Sequence, residues 1–268
     1  MPFYDTHCHL NLHSFEKDLP EVIERTRAYQ ISRIMIPGTS LEDNQTAIRI
    51  AEEYQECYAA VGIHPNEATQ WNSKAEVNIA KLAKFPKVLA IGEIGLDYYR
   101  DHAPHDLQKI ALLAQLELAK QIMKPVIIHI RDSMAESCKI LFNWQEQLES
   151  EGHPLASRPG IFHAFPGTIE EANPAIQHNF KIGVGGPVTF KNARNRHALV
   201  TELSLNAIVL ETDAPFLTPH PHRGKRNDPS YIPLIAEKIA SLKNISVSEV
   251  ADQTNQNADH VFQWNMQN

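Results

Sequence analysis

Histidine and carboxylate side chains recur at the ends of short apolar segments along this chain. The pattern begins in the stretch FYDTHCHL, residues 3–10, where His7 and His9 occupy alternate positions. Side chains two residues apart in a strand share a face, so both imidazoles would project together. Two convergent imidazoles suit a metal site, although they also suit an ordinary strand edge. Asp5 lies on the same face, deeper in the strand, and is expected to orient an imidazole.

Five further groups follow other apolar segments in the same way. They are His64 in VGIHP, Glu93 in IGEIG, His129 in IIHIR, His163 in IFHAF and Asp213 in ETDAP. Taken singly, such a histidine is more often a hydrogen-bonded edge residue, and such a carboxylate can cap the following helix. Gathered in one place, five imidazoles and two carboxylates would bury uncompensated polarity unless a cation lay among them. The set therefore predicts a metal site.

The segments that carry these groups alternate with amphipathic stretches that have helical spacing. The strands we predict are Phe3–His7, Arg33–Pro37, Tyr58–Ile63, Val88–Glu93, Val126–His129, Gly160–His163, Lys181–Gly185 and Ala207–Glu211. Helices are predicted between them, with two more after the last strand. Eight strand–helix units are typical of an α/β fold of the (β/α)8 TIM-barrel type, whose active sites lie at the C-terminal ends of the strands. An open doubly wound sheet is the alternative, but it gathers its chemistry at one switch point.

The length and composition fit a single large domain. The 268 residues are 43% hydrophobic, and no linker, repeat or low-complexity segment divides them, so we expect one domain over residues 1–268. The sequence shows neither a secretory signal nor a membrane span, so no membrane association is expected. Its three cysteines are far apart, which argues against a disulfide framework. These features predict a cytoplasmic protein.

The charge distribution bears on the substrate. Twenty-five Lys and Arg residues against 32 Asp and Glu give a net charge of −7, which opposes broad binding to nucleic acid. The stretch 218–233 is the exception, because it holds Arg223, Lys225 and Arg226. These cations suit phosphate oxygens, or else they belong to a solvated loop that an arginine pins to nearby carboxylates. Arg131 either clamps a phosphate or pairs with Asp213 or Glu211.

The ligand types indicate which metals to expect. Imidazole and carboxylate without thiolate suit Zn²⁺ or Mn²⁺, whereas Mg²⁺ would need further oxygen ligands or water. Six candidate ligands exceed the needs of one tetrahedral ion, so we expect two divalent ions per chain, Zn²⁺, Mn²⁺ or Mg²⁺, roughly 3.5–4 Å apart. Glu93 is the natural bridge, because its strand lies between the first strand and the fifth and sixth.

The motifs, taken in order, resemble those of the TatD family of metal-dependent deoxyribonucleases, which have amidohydrolase-like barrels. The resemblance rests on DTHCHL, VGIHP, AIGEIGLDYYRD, PVIIHIRD, FHAFPG, VLETDAP and HRGKRNDPSY, and these motifs span nearly the whole chain. The intact D-x-H-x-H start and KIGVGG are more similar to the YjjV branch of the family.

This resemblance implies a site and a reaction. The implied ligands of the first ion are His7, His9 and Asp213, those of the second are His129 and His163, and Glu93 bridges the two. Asp213 would act as general base, and His64 and the loop arginines would face substrate phosphate. The implied reaction is the hydrolysis of DNA phosphodiester bonds by a water that two metals activate, in the manner of a 3′-5′ exonuclease. DNA would be a transient partner, and no stable protein partner is implied.

Three other functions stay open on the sequence alone. A small-molecule amidohydrolase, such as a deaminase or lactonase, uses the same barrel and metals, but often has a carboxylated lysine where this chain has Glu93. A phosphatase of the PHP type also begins with His-x-His, yet would show seven strands and another ligand order. A metal-buffering scaffold would explain the ligands and leave the cationic loop unexplained.

Overall fold

The centre of the molecule is one parallel eight-stranded sheet, which we describe from a computed structural model covering residues 2–100 and 102–264. The strands are β1 (Phe3–Asp5), β2 (Ile31–Pro37), β3 (Cys57–Val61), β4 (Val88–Asp97), β5 (Val126–Arg131), β6 (Gly160–Phe162), β7 (Lys181–Val184) and β8 (Ile208–Leu210). Each strand pairs with the next in chain order. Just beyond the strands, the amide of Thr6 donates to the carbonyl of Leu210 at 2.9 Å, and this bond brings β8 back to β1.

A helix follows each strand and covers the outside of the sheet. The helices are α1 (Leu19–Ala28), α2 (Leu41–Glu53), α3 (Ser73–Leu82), α4 (His105–Gln121), α5 (Met134–Ser150), α6 (Ile169–Gln177), α7 (Arg194–Glu202), α8 (Ile232–Lys243) and α9 (Val247–Phe262). The predicted (β/α)8 barrel is therefore confirmed, with α9 as an addition after α8. None of the described helices is long and apolar enough to cross a membrane.

The strands separate two apolar layers, because successive side chains point to opposite faces. On β5, Ile128 packs in the outer layer between the sheet and the helices, whereas Ile127 packs in a separate inner cluster. The inner cluster also contains Phe262 and Trp264, from the end of α9 and the residues after it. The alternation continues to His129, which shares the inner face of Ile127. At the C-terminal end of the barrel, polar side chains such as His129 take the place of the apolar side chains of the inner cluster.

Four strands differ from their predicted bounds beside a candidate site residue. β5 continues past His129 to Arg131, β6 ends at Phe162 just before His163, and the larger differences are in β1 and β4. β1 ends at Asp5 rather than His7, so both histidines follow the strand. β4 continues past Glu93 to Asp97. Its pairing with β5 shifts register between Ile91 and Ile94, where β4 advances three residues while β5 advances two. Such a bulge re-aims a side chain, and here it lies beside Glu93.

Two buried glutamines on α4 hold the backbone near the C-terminal ends of β3 and β4. Gln115 accepts from the amide of Ile63 at 2.7 Å and donates to the carbonyl of the same residue at 3.1 Å. Gln108 accepts from the amide of Asp97 at 2.9 Å and donates to its carbonyl at 3.0 Å. Both side chains are fully buried. They fix the segments that lead to His64 and contain Asp97.

Replacing Gln115 with alanine is expected to destabilise the fold. The substitution leaves the amide and the carbonyl of Ile63 without their partner in a buried position, at a cost of about 1–3 kcal/mol for each unsatisfied group. We expect a total loss of roughly 2–4 kcal/mol in the free energy of unfolding, measured by urea denaturation. Gln121→Ala is the matched control, because Gln121 is exposed on the same helix. Equal losses in the two variants would contradict this role of Gln115.

Candidate metal centre

Glu93 lies at the centre of the polar cluster at the barrel mouth. Its carboxylate is 2% exposed. Imidazole nitrogens from five residues lie within 3.6 Å of it; they belong to His7, His9, His64, His129 and His163. With Asp213, these are the seven groups that the sequence places at strand ends. The structure brings all of them together.

One oxygen of Glu93 faces the residues after β1. Glu93 Oε2 is 3.4 Å from His7 Nε2 and 3.5 Å from His9 Nε2. The two Nε2 atoms are 3.1 Å apart. Asp213 Oδ1 lies 3.4 Å from His9 Nε2 and 3.7 Å from His7 Nε2. The ligand-capable atoms of His7, His9 and Asp213 therefore lie within 4.8 Å of one another, and Glu93 Oε2 lies beside both imidazoles.

The other oxygen of Glu93 faces a different set of imidazoles. Glu93 Oε1 is 2.9 Å from His129 Nδ1, 3.5 Å from His163 Nε2 and 3.6 Å from His64 Nε2. Two groups of ligand-capable atoms that lie within 4.8 Å of one another include these imidazoles: Glu93 with His64 and His129, and Glu93 with His163 and His7, the last of which also faces Oε2. The two oxygens of one buried carboxylate thus point at two clusters of nitrogen.

The spacing of these atoms fits divalent ions. Ligand atoms bound to one ion at about 2.0–2.2 Å lie roughly 3–3.5 Å from one another. The distances around Glu93 Oε2 run from 3.1 to 3.7 Å, which is close to that range. Imidazole and carboxylate without thiolate form a donor set for Zn²⁺ or Mn²⁺. The residues present therefore fit the metal that their types predict.

The electrostatics of the cluster also call for positive charge. Burial raises the pKa of Glu93, but the charges of His163 and His7 outweigh burial and hold that pKa well below its usual range. Burial lowers the pKa of His163, but the carboxylates of Glu211 and Glu93 outweigh it and raise that pKa to about 10. Buried carboxylates that stay ionised need a compensating cation, which bound metal ions would supply.

Backbone hydrogen bonds, rather than a regular strand, position His7 and His9. The amide of His9 donates to the carbonyl of Ala214 at 2.8 Å, and the amide of Asp213 donates to the carbonyl of His7 at 2.8 Å. These bonds interlock the segments after β1 and β8. The shared direction of the two imidazoles, predicted from strand alternation, therefore has another cause.

Asp5 differs from its expected role. It does not orient an imidazole; its carboxylate accepts from the amide of His7 at 3.2 Å and from the amide and hydroxyl of Thr212 at 3.0 and 2.5 Å. The side chain is fully buried. Asp5 thus joins the backbone at His7 to the backbone at Thr212, the residue that precedes Asp213.

Two further carboxylates support the site, and the sequence reasoning missed both. Asp97 Oδ2 lies 3.2 Å from His129 Nε2, so it orients the ring whose Nδ1 faces Glu93. Burial raises the pKa of Asp97, but the hydrogen bond from His129 outweighs it and lowers that pKa to about 2. Glu211 Oε1 lies 3.6 Å from His163 Nδ1. The only available signal was that each carboxylate shares an apolar segment with Glu93 or Asp213.

A backbone hydrogen bond determines which ring nitrogen of His64 carries the proton. Its Nδ1 accepts from the amide of Asn66 at 3.1 Å, as the cap of a short 3-10 turn. Burial lowers the pKa of His64 to about 3, so the ring is neutral and its proton is on Nε2. That Nε2 faces Glu93 Oε1. A protonated ring nitrogen donates hydrogen bonds, which suits contact with a phosphate oxygen better than coordination.

The predicted substrate-binding cations occupy different settings. Arg226 attaches its loop to a nearby carboxylate, which was the alternative to phosphate binding. Its Nη1 and Nη2 lie 2.8 and 2.5 Å from the two carboxylate oxygens of Asp18. Arg131 pairs with neither Asp213 nor Glu211, and its guanidinium stacks 3.9 Å from the ring centre of Tyr99. Arg223 and Lys225 are exposed.

Comparison with known sequences places the chain among metal-dependent hydrolases. A model of the family described as TatD related DNase matches residues 4–263. The chain is 42% identical over 262 residues to YabD of Bacillus subtilis (strain 168), named an uncharacterized metal-dependent hydrolase, with 98% of this chain and 99% of YabD covered. It is 32% identical over 265 residues to the 3′-5′ ssDNA/RNA exonuclease TatD of Rahnella sp. (strain Y9602), with 97% of each chain covered.

Comparison with solved structures agrees. The crystal structure of YjjV, a TatD homolog from Escherichia coli K12, matches with a TM-score of 0.89 at 29% sequence identity, covering 97% of this chain and 98% of that one. A TatD family hydrolase from Entamoeba histolytica matches with a TM-score of 0.83 at 23% identity, covering 98% of each chain. The second match shows the shared barrel alone.

Replacing Asp97 with asparagine is expected to weaken metal binding. The carboxylate of Asp97 orients the ring of His129 and makes it more basic. Loss of that charge typically lowers metal affinity 10–100-fold. Competition with a chromophoric chelator for Zn²⁺ or Mn²⁺ measures it. Asp106→Asn is the control, because Asp106 is an exposed carboxylate at the start of α4. Unchanged affinity in Asp97→Asn would contradict the assigned role.

Proposed function

Because the chain belongs to the TatD family of metal-dependent hydrolases that act on phosphodiester bonds, we propose that it is an exonuclease that shortens single-stranded DNA from the 3′ end. The relatives named 3′-5′ ssDNA/RNA exonucleases support the direction and the strandedness, since the chain matches them over nearly its full length. A mouth lined by exposed Tyr99 and Phe216 supports a substrate with unpaired bases, which stack on aromatic rings.

The division of Glu93 between two clusters carries the proposal. We propose that the site binds two divalent ions: His7, His9 and Asp213 would hold one, His129 and His163 would hold the other, and Glu93 would contribute a ligand to each. The support is that Oε2 faces the first set and Oε1 faces the second. When bound, such a pair lowers the pKa of a water molecule and offsets charge on the phosphoryl oxygens.

The side chains of this chain supply the remaining steps. Burial raises the pKa of Asp213, but the hydrogen bond from His9 and the charges of the histidines outweigh it, so the carboxylate is ionised and accepts the proton of the attacking water. The Nε2–H group of His64 donates a hydrogen bond to a phosphate oxygen. Arg131, which lies over the ring of Tyr99, presents guanidinium N–H groups to the same phosphate.

The setting of the reaction is proposed to be the cytoplasm. All three cysteines are free thiols, which fits a reducing compartment. Cys8 and Cys57 are buried, and burial raises the pKa of each thiol, so neither competes as a metal ligand. DNA would be bound transiently through its phosphates.

Cleavage of end-labelled oligonucleotides tests the proposed function. With Zn²⁺, Mn²⁺ or Mg²⁺ restored, we expect a ladder that shortens from the 3′ end of a single strand, and loss of cleavage when that end is blocked. A 5′ block is expected to have no effect. Glu93→Gln is expected to lower the rate by roughly 10³-fold or more. Glu42→Gln, at an exposed carboxylate on α2, is the control.

Other results would overturn parts of the proposal. Indifference to the 3′ block would contradict the exonuclease direction. A preference for RNA of the same sequence would replace the substrate. Hydrolysis of lactones or phosphomonoesters, with every oligonucleotide left intact, would favour a small-molecule hydrolase with the same centre.

A further inference from the structure

We propose that a pocket between the loops after β7 and β8 binds a backbone phosphate of the single-stranded substrate, away from the bond that is cleaved. The inference rests on the proposed function and adds a second contact point for the strand. It makes Arg223 and Lys191 determinants of the length of substrate that the enzyme prefers.

The pocket has the size and position of a subsite. Its volume is about 530 Å³. It is lined by Phe190, Lys191, Asn192, Ala193, His220 and Arg223. The first four follow β7 and the last two follow β8, so the pocket opens on the same end of the barrel as the metal centre. In barrels of this type, the loops after the seventh and eighth strands frequently form a phosphate site.

The charge of the pocket is uncompensated. Arg223 and Lys191 line it, and Lys225 follows closely on the same loop; all three are exposed. Within residues 2–100 and 102–264, no carboxylate lies within salt-bridge distance of these three cations, whereas Arg226 of the same loop pairs with Asp18. In a chain of net charge −7, an unpaired cationic cluster around a pocket fits an anionic ligand.

A stacking contact prepares Arg223 for that ligand. Its guanidinium carbon lies 4.1 Å from the ring centre of Phe190. This cation–π contact restrains the guanidinium beside the ring, and an arginine so placed can donate two parallel bonds to phosphate oxygens. A lysine at this position would carry the charge without the planar geometry.

The loop that carries Arg223 is fixed relative to the metal centre. Asn227 is fully buried, and its Nδ2 donates to the carbonyls of Thr212 and Phe216 at 2.8 and 2.6 Å. The amide of His220 donates to Thr189 Oγ1 at 2.7 Å, which joins this loop to the one after β7. The pocket and Asp213 therefore share one braced segment.

Phe216 lies beside the metal centre. Its ring centre is 6.1 Å from that of His9, and more than half of the side chain is exposed. None of the residues that line the pocket belongs to the metal centre, so a phosphate in the pocket is distinct from the one at the metals. Both can belong to one strand if the chain of the substrate crosses the exposed face of Phe216, where a base can stack.

The test compares a long substrate with a minimal one. The probes are a labelled single-stranded decanucleotide and bis(4-nitrophenyl) phosphate, a small diester too short to reach the pocket. For Arg223→Gln, we expect KM for the decanucleotide to rise about tenfold with kcat little changed. The loss of kcat/KM on the small diester is expected to be several-fold smaller. Phe190→Leu is expected to give a weaker form of the same effect, because it frees the guanidinium.

Salt dependence and a matched control complete the design. The slope of log(1/KM) against log salt for the decanucleotide is expected to decrease in magnitude by about 0.7 in Arg223→Gln, the value for one lost contact to a single strand. Lys84→Gln is the control, because Lys84 is exposed and lies just before β4, at the opposite end of the barrel. It should change neither KM nor the slope.

Two outcomes would overturn the inference, and a third would overturn the proposed function instead. Equal losses on the two substrates, or none, would show that the pocket does not hold the strand. Competitive inhibition by free nucleoside monophosphate that Arg223→Gln relieves, without length dependence, would assign the pocket to a small molecule. If the wild-type enzyme cleaves the small diester but no oligonucleotide, the proposed function fails.

Discussion

The ionised carboxylate of Glu93, almost fully buried among five imidazoles, is the constraint on which the rest of the site depends. A charge in that position is tolerable only where hydrogen-bond donors or cations surround it. The five rings come from the ends of four different strands, since His7 and His9 both follow β1, and a closed barrel brings such distant segments to one point. The buried strands thus position the five rings, and the buried negative charge of Glu93 favours the binding of cations among them.

His129 and His7 are held by carboxylates that lie outside the metal centre itself. Asp97 orients His129, and Asp5 ties the backbone of His7 to that of Thr212. Gly95 allows β4 to approach β5 closely, since a side chain there would meet the backbone oxygen of His129. These supports fix the ligands before any ion arrives, and a site arranged in advance loses little entropy when it binds.

The barrel and the set of converging groups could be predicted because both follow from local patterns. Apolar segments that end in histidine or a carboxylate are visible one at a time, and the barrel rule places their ends together. His129 illustrates the success, since simple alternation along β5 carries it to the inner face.

The remaining features could not be predicted because they depend on contacts between distant segments. The sequence contains no sign that β1 stops at Asp5, or that β4 shifts register beside Glu93. Nor does it show that Arg226 is engaged by Asp18 while Arg223 of the same loop stays free of carboxylates. The type and charge of each residue can be read from the sequence, but the residue that it contacts in the fold cannot.

Anomalous diffraction from crystals grown with Mn²⁺ or Zn²⁺ tests the central claim most directly, because it locates each ion relative to Glu93. The two-cluster arrangement predicts two peaks per chain, roughly 3.5–4 Å apart, with one oxygen of Glu93 bound to each. A single peak, or two peaks of which one makes no contact with Glu93, would contradict it.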